Sequence, residues 1–328
     1  MILNLDICEC CFKVLVINCI VEEYIRNRFV GFISNNAFNY SKTDITIVKE
    51  IQLDEISSKY NSIINVSCKD YYEFKENECT YFIINYKNFV VYNDSEKLIE
   101  IYVNQNENIN ILRFIGVKIC ELIVSILIEN GIFCIHSSVC TLQKNLFNGI
   151  AMLGPSGVGK TSLVYQMHKC GEYIANDDVA FFKIASNCMT VYKNTQYIGF
   201  DNYSLTNIFS ECIQYIICKD GLELDKNRID LQCQDPSAYA EKIRVKHIII
   251  IEKERLDVPK LIKCSQIEAY KALIQSLLPF FSMCRFDLMD EIARKIMSMM
   301  LIYKLLPCNS ISKTVDFLLI ESRKMNEN

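Results

Sequence analysis

Between residues 45 and 103 apolar and polar positions alternate in short runs, among them Tyr81-Phe82-Ile83-Ile84-Asn85-Tyr86 and Phe89-Val90-Val91-Tyr92, punctuated by turn formers such as Asn93-Asp94-Ser95. A period of two marks strands, so this stretch predicts a mainly β region. Residues 111–128 then turn almost continuously apolar, interrupted by Arg113, Lys118 and Glu121. A membrane span needs about 20 apolar residues without such breaks. The segment therefore predicts a mostly buried helix, ended by Asn130-Gly131.

Past that helix the pattern becomes strand, glycine loop, helix, strand, the order of an α/β domain. Phe133-Cys134-Ile135-His136 reads as an apolar strand entering the sheet. Ile150-Ala151-Met152-Leu153 is a short buried strand running into a glycine loop, and residues 160–169 form a helix closed by Gly171. Tyr173-Ile174-Ala175 is the next strand and delivers Asn176-Asp177-Asp178 at its end. Residues 245–251, apolar apart from Lys246 and His247, read as a central strand. Ser265-Gln266-Ile267-Glu268 is a capping box opening a helix to about Leu278. A helix over 287–300, a strand over 301–305 and a last helix over 313–325 complete the reading. The change of style places the boundary near residue 110, giving an N-terminal region of 1–110 and an α/β domain of 111–328.

A chain of 328 residues, 51% apolar and 23% charged, belongs with folded globular proteins rather than disordered ones. Its formal charge of −4 and lack of a basic stripe exclude a general nucleic-acid binder. Seventeen cysteines at irregular spacings, and an N-terminus Met1-Ile2-Leu3-Asn4 without a basic segment, point to a reducing cytoplasm. The tightest group, Cys8, Cys10, Cys11 and Cys19, lacks a second closely spaced pair for zinc, so small buried hydrophobes are the expected role. No membrane partner is expected.

The chemistry concentrates in Gly154-Pro155-Ser156-Gly157-Val158-Gly159-Lys160-Thr161, followed by Ser162. This is G-x-x-x-x-G-K-[ST] between a strand and a helix, the context in which the motif is meaningful. Glycines let backbone N–H groups close around phosphate oxygens, and the helix N-terminus adds favourable partial charge. Lys160 would bridge the β- and γ-phosphates of ATP, and Thr161 would offer its hydroxyl to Mg²⁺. One helix later Asp177 and Asp178 return toward the loop. One would orient the metal or its waters; the other would accept a proton from an attacking hydroxyl. Glu252, after the apolar strand, is the alternative acid. His168 and His247 read as structural histidines. Lys226 and Arg228, with Arg244 ahead of the central strand, are the basic residues available to the transferred phosphoryl group, although a solvated loop charge is the first reading of each.

His136-Ser137-Ser138, the loop from Gly154 to Thr161, Gly171 and Asn176-Asp177-Asp178, in this order and spacing, resemble the HPr kinase/phosphorylase superfamily, whose catalytic domain is similar to that of phosphoenolpyruvate carboxykinase. The resemblance is specific over residues 131–182 and elsewhere extends only to layout. It implies a mixed sheet carrying the phosphate loop, preceded by the smaller mainly β region as a substrate-binding or accessory part. It further implies transfer of the γ-phosphoryl of Mg-ATP to a serine hydroxyl, with Asp178 as proton acceptor, Asp177 and His136 supporting it, Lys160 on phosphate, and Thr161 with Asp177 at magnesium. The Glu-Ile-Arg-Gly-type stretch of members that phosphorylate HPr is missing between Val179 and Val245. The chain is closer in style to divergent members that modify ribosomally made peptides, including lasso peptide kinases. The expected acceptor is thus a serine in a peptide or small protein, with homo-oligomers left open. A non-catalytic ATP-binding regulatory module and a kinase of a free metabolite such as serine are the alternatives.

Overall fold

The computed structural model describes residues 2–8, 10–29, 32–34, 45–52, 71–76, 78–84, 88–103, 107–194, 197–218, 226–233, 235–277 and 286–325. The chain divides into two compact units, Met1–Asn130 and Gly131–Asn328.

The first unit runs β1 (Leu3–Ile7), β2 (Cys10–Leu15), α1 (Cys19–Arg28), β3 (Ile33–Ser34), β4 (Ile45–Gln52), β5 (Tyr71–Glu76), β6 (Cys79–Ile84), β7 (Asn88–Asn93), β8 (Leu98–Val103) and α2 (Ile109–Glu129). Its strands form one eight-stranded sheet in the order β3-β1-β2-β4-β8-β7-β6-β5. The alternating runs of the sequence thus become strands, although Asn85 and Tyr86 lie outside the described residues. Helix α2 buries Ile115, Ile119, Ile123 and Leu127, spaced four apart on one face, and packs on α1, β6 and β7. Burying each such side chain is worth about 1.5–3 kcal/mol. The division of the chain therefore falls after Asn130, where sequence alone had placed a boundary near residue 110. The helix completes the core of the first unit. No helix among the described residues is long and apolar enough to cross a membrane.

The second unit is mixed α/β. It contains β9 (Ile132–His136), β10 (Ser138–Leu142), β11 (Asn145–Leu153), α3 (Lys160–Lys169), β12 (Ile174–Asn176), β13 (Val179–Ala185), β14 (Cys188–Tyr192), β15 (Tyr197–Asp201), α4 (Asn202–Asn207), β16 (Ile216–Cys218), β17 (Lys226–Asp230), β18 (Lys242–Ile251), β19 (Lys260–Lys263), α5 (Gln266–Leu277), α6 (Phe286–Met299), β20 (Leu301–Leu306) and α7 (Ile311–Met325). Nine strands share one sheet: seven follow the order β12-β10-β11-β18-β14-β13-β9, and β20 adds to β18 with β19 beside it. A separate small sheet has the order β15-β17-β16.

Strand β18 lies beside β11 in parallel and is fully buried from His247 to Ile251, as its unbroken apolar run requires. Residues Leu163, Val164 and Met167 of α3 pack with Val315 and Leu318 of α7 and with Ile198 and Phe200 of β15 in one core. The capping box at α5 closes reciprocally, Ser265 N–H donating to Glu268 Oε2 at 3.1 Å and Glu268 N–H to Ser265 Oγ at 3.3 Å. Its expected last residue, Leu278, lies outside the described residues. All described cysteines are free thiols; Cys8 and Cys11 are buried, whereas Cys19 is exposed.

One topological relation positions the chemistry. Strands β9 and β10 follow each other directly, as do β12 and β13, and the two pairs lie antiparallel: His136 faces Val179 and Val139 faces Asn176. The register does not slip between those points, so Ser138 stands opposite Asp177 and Ser137 opposite Asp178. The acid pair sits where the ribbon passes from the β9–β13 ladder to the β10–β12 ladder. One arm continues the sheet through β10 to β11, the other through β13 to β14, and β18 pairs with both β11 and β14.

Candidate active site

The loop begins where β11 ends. At Gly154 the backbone has φ +148, and an added Cβ would stand 2.9 Å from Ile251 O at the end of β18. Only glycine fits so near a neighbouring carbonyl. Gly159, at φ 102, precedes the first turn of α3 without a side-chain cap, leaving the helix's first N–H groups to face the loop. The Lys160 ammonium is buried and donates to Gly154 O at 2.7 Å and Pro155 O at 3.1 Å. It braces the loop that it would leave to meet a phosphate.

Asp177 is held from three sides. Its Oδ1 accepts from Ser138 Oγ at 2.8 Å and from Thr161 Oγ1 at 2.9 Å, and its Oδ2 from Gly199 N at 3.3 Å. The ribbon, the loop helix and β15 therefore meet on one carboxylate. Asp178 behaves differently. Its φ is +83, a left-handed conformation that an aspartate adopts at a cost of about 1 kcal/mol or more. The strain is fixed by Ser137 N–H donating to Asp178 O at 3.1 Å, and Asn176 Nδ2 holds Ser137 O at 2.9 Å. The Asp178 side chain meets His136, whose Nδ1 lies 3.2 Å from Asp178 Oδ1. The carboxylate remains 51% exposed, open to an incoming group.

These residues line one cleft. His136, Ser138, Lys160, Thr161, Asp177 and Asp178 share it with Ser156, Gly157, Gly159 and Ser162 of the loop region. The remaining wall is Gly199, Phe200, Asp201 and Ser204. Asp201 caps α4, accepting from Ser204 N at 2.7 Å. Beneath that wall Tyr165 meets the rings of Phe200 and Phe209 edge-on, with centroids 5.4 Å and 5.0 Å away. The cleft is small, about 80 Å³, and opens to solvent.

Gly154, Pro155 and Val158 complete the loop without lining the cleft: Val158 is buried in the core, and its carbonyl accepts from Arg255 Nη2 at 2.9 Å. Arg255 stands 97 positions away, and no local pattern announces it. Gly199, Asp201 and Ser204 were equally silent in the sequence; a capping Asp-x-x-Ser spacing was their only mark. Ser138 lay inside the recognised His136-Ser137-Ser138 run.

The remaining expected residues lie elsewhere. Arg228 is on β17 opposite Gly199, and Lys226 opposite Asp201, so both backbones neighbour the cleft wall. Arg228 does not line the cleft, and the Lys226 side chain lies outside the described residues. Arg244 cannot reach the loop. It sits near the start of β18, and because β18 runs parallel to β11, that start is at the opposite end of the sheet. Glu252 follows the end of β18 and does not line the cleft. His168 Nδ1 lies 3.2 Å from Glu172 O, and His247 packs near Tyr303.

Thr161 and Asp177 supply hard oxygen donors, the kind that Mg²⁺ prefers. No group of three or more His, Cys, Asp or Glu side chains is placed to hold a metal among the described residues. Two protein oxygens suit an ion that keeps several waters and takes further oxygens from phosphate.

No family model matches the sequence, and no curated protein matches it. Among solved structures it is similar to the HPr(Ser) kinase/phosphatase from Coxiella burnetii, with 16% identity, a TM-score of 0.36, and coverage of 60% of this chain and 99% of that one. A likeness this loose says nothing of activity.

Proposed function

We propose that the second unit binds Mg-ATP at the loop from Gly154 to Thr161 and transfers its γ-phosphoryl group to a serine hydroxyl of a peptide or small protein. The observation that carries this reading is the strained Asp178, held by His136 and half exposed in the same cleft as Lys160 and Thr161.

Each residue then has a separable task. Backbone N–H groups of the loop and the first turn of α3 cradle phosphate oxygens, and Lys160 adds its charge. Thr161 and Asp177 would hold magnesium, which when bound neutralises charge on the β- and γ-phosphates. The acceptor oxygen attacks the γ-phosphorus, the bond from that phosphorus to the bridging oxygen breaks, and ADP leaves. Asp178 Oδ takes the hydroxyl proton, and His136 keeps that carboxylate aimed at the acceptor. General-base assistance of this kind is worth about 10²–10⁴ in rate.

The test is incubation with γ-labelled ATP and serine-containing peptides, small proteins and free serine, using wild type, Asp178→Asn and His136→Ala. Transfer by wild type that falls about 10²–10⁴-fold in Asp178→Asn, with ATP binding retained, supports the reading. Equal transfer by both would remove Asp178 from the chemistry. ATP binding without transfer to any acceptor makes the unit a nucleotide-binding module, and transfer to free serine alone makes it a metabolite kinase.

A further inference from the structure

Strand β18 changes partner once along its length. On the side away from β11, β14 runs beside it from Lys242 to Val245, and β20 takes that place from His247 to Ile251. Lys246 belongs to neither ladder. A cavity of about 490 Å³ opens at this break.

The break follows from two local features. The β13–β14 hairpin turns on Ser186 and Asn187, both left-handed with φ 48 and φ 56, so β14 begins at Cys188 and can extend no further along β18. Strand β20 can pair only from Leu301, directly after α6 and Met300. The sheet has a notch between these two ends.

Its lining is chemically one-sided. Arg244, Lys246 and His247 all line it, and among the described residues no carboxylate does. The Arg244 guanidinium lies 4.9 Å from the centre of the Phe147 ring, which orients it, and that ring is 59% exposed although large and apolar. Met299, Met300 and Leu301 form an apolar wall. A cavity of a few hundred cubic ångströms with an apolar wall and a few convergent polar groups is the form of a small-molecule site. Charges on an ordinary solvated strand face have no such concavity around them.

This place is separate from the nucleotide cleft. From Phe147 at the cavity to Leu153 before the loop is six residues of β11, roughly 20 Å at the rise of a strand. Among the described residues the two sites share no lining residue.

We propose that the notch at Lys246 is a second ligand site, for a small organic anion that joins a phosphate or carboxylate group to an apolar or aromatic body. Arg244 and Lys246 take the anionic group, with the fork of Arg244 suited to paired oxygens. Phe147 and Met299 take the apolar body. His247, 3% exposed in the wall, registers occupancy through its ring.

The experiment titrates the full chain with phenyl phosphate and, separately, benzoate, following the imidazole resonances of the three histidines. Wild type and Lys160→Ala, in which the loop is disabled, are compared with Arg244→Gln/Lys246→Gln. A saturable shift of His247 that persists in Lys160→Ala, and whose affinity falls about tenfold or more in the double variant, supports the site. Tighter binding of phenyl phosphate or of benzoate then tells which anionic group it prefers. Absence of a saturable His247 shift with either probe at millimolar concentration overturns the proposal, as does unchanged affinity in a double variant that melts like wild type. Should the double variant unfold, the single substitutions Arg244→Gln and Lys246→Gln give the same comparison.

Discussion

The Thr161 hydroxyl donates to Asp177 Oδ1 at 2.9 Å, tying the first turn of α3 to the end of the strand that follows it. The same pair would hold magnesium, so its role is separable from that of the loop backbone. Thr161→Val keeps the shape and removes the hydroxyl. The expected outcome by calorimetry is a loss of about tenfold in ATP affinity with magnesium and little change in its absence. Thr161→Ser should restore most of it. An equal loss with and without magnesium would make the hydroxyl a structural tether only.

Arg255 acts on the loop from the opposite side. Its bond to Val158 O fixes the peptide just before Gly159, and Leu256 N–H anchors the next residue to Pro307 O at 3.0 Å. A charge-assisted hydrogen bond at a partly exposed place is worth about 1–2 kcal/mol. Arg255→Gln should weaken ATP binding about tenfold and lower the melting temperature by only a few degrees, the share of one hydrogen bond, since the side chain buries no core. A melting loss as large as the binding loss would assign Arg255 to global stability.

What the sequence made legible was local. The glycine loop, α3 and the Asp pair occupy about 25 consecutive positions, and their spacing alone required a strand, a loop and a return. The unbroken apolar run at β18 and the capping box at α5 are also written within a few residues each. Arg255 and Gly199 were invisible because their partners lie 97 and 22 positions away. Arg244, read first as a solvated charge and second as a phosphoryl contact, lies at the far end of the sheet from the loop: proximity to the central strand says nothing of that strand's direction. Helix α2 was recognised, but its apolar periodicity could not say which sheet it would cover. Strands β1 and β2 and helix α1 were not read as separate elements, although Leu3-Asn4-Leu5-Asp6-Ile7 alternates strictly and buries every second residue.

Glu172 predicts a stability effect away from the chemistry. It is 4% exposed, just after the end of α3, and accepts from Thr141 Oγ1 at 2.7 Å and from the N–H groups of Gln143 and Lys144 at 2.8 Å each. Those two residues form the left-handed turn between β10 and β11, with φ 60 and φ 54. One carboxylate thus closes a hairpin onto a helix. Glu172→Ala leaves three donors without their acceptor and should cost about 2–4 kcal/mol, read as a shift in urea midpoint at constant slope. A shift within the scatter of surface substitutions would mean that water replaces the carboxylate at no cost.

Tyr165 gives a pH dependence with a definite sign. Burial pushes its phenol well above the ordinary value of 10.0, and Cys212 Sγ, donating to its hydroxyl at 2.9 Å, keeps it in the same buried cluster as Phe200 and Phe209. Tyr239, partly buried with its hydroxyl out of solvent near Asp177 and Asp230, is raised in the same way. In the unfolded chain both phenols ionise near their ordinary value, whereas in the fold they stay neutral. Their contribution is complete below about pH 10 and is lost as pH rises above it, because the unfolded state then releases protons that the folded state keeps. Tyr165→Phe removes one ionisable group with the ring retained. Its stability should fall less steeply than that of wild type above about pH 10, and the two curves should run parallel below it. Parallel curves throughout would show that Tyr165 ionises in the fold as it does in water, and that the edge-on packing under the cleft wall does not exclude solvent.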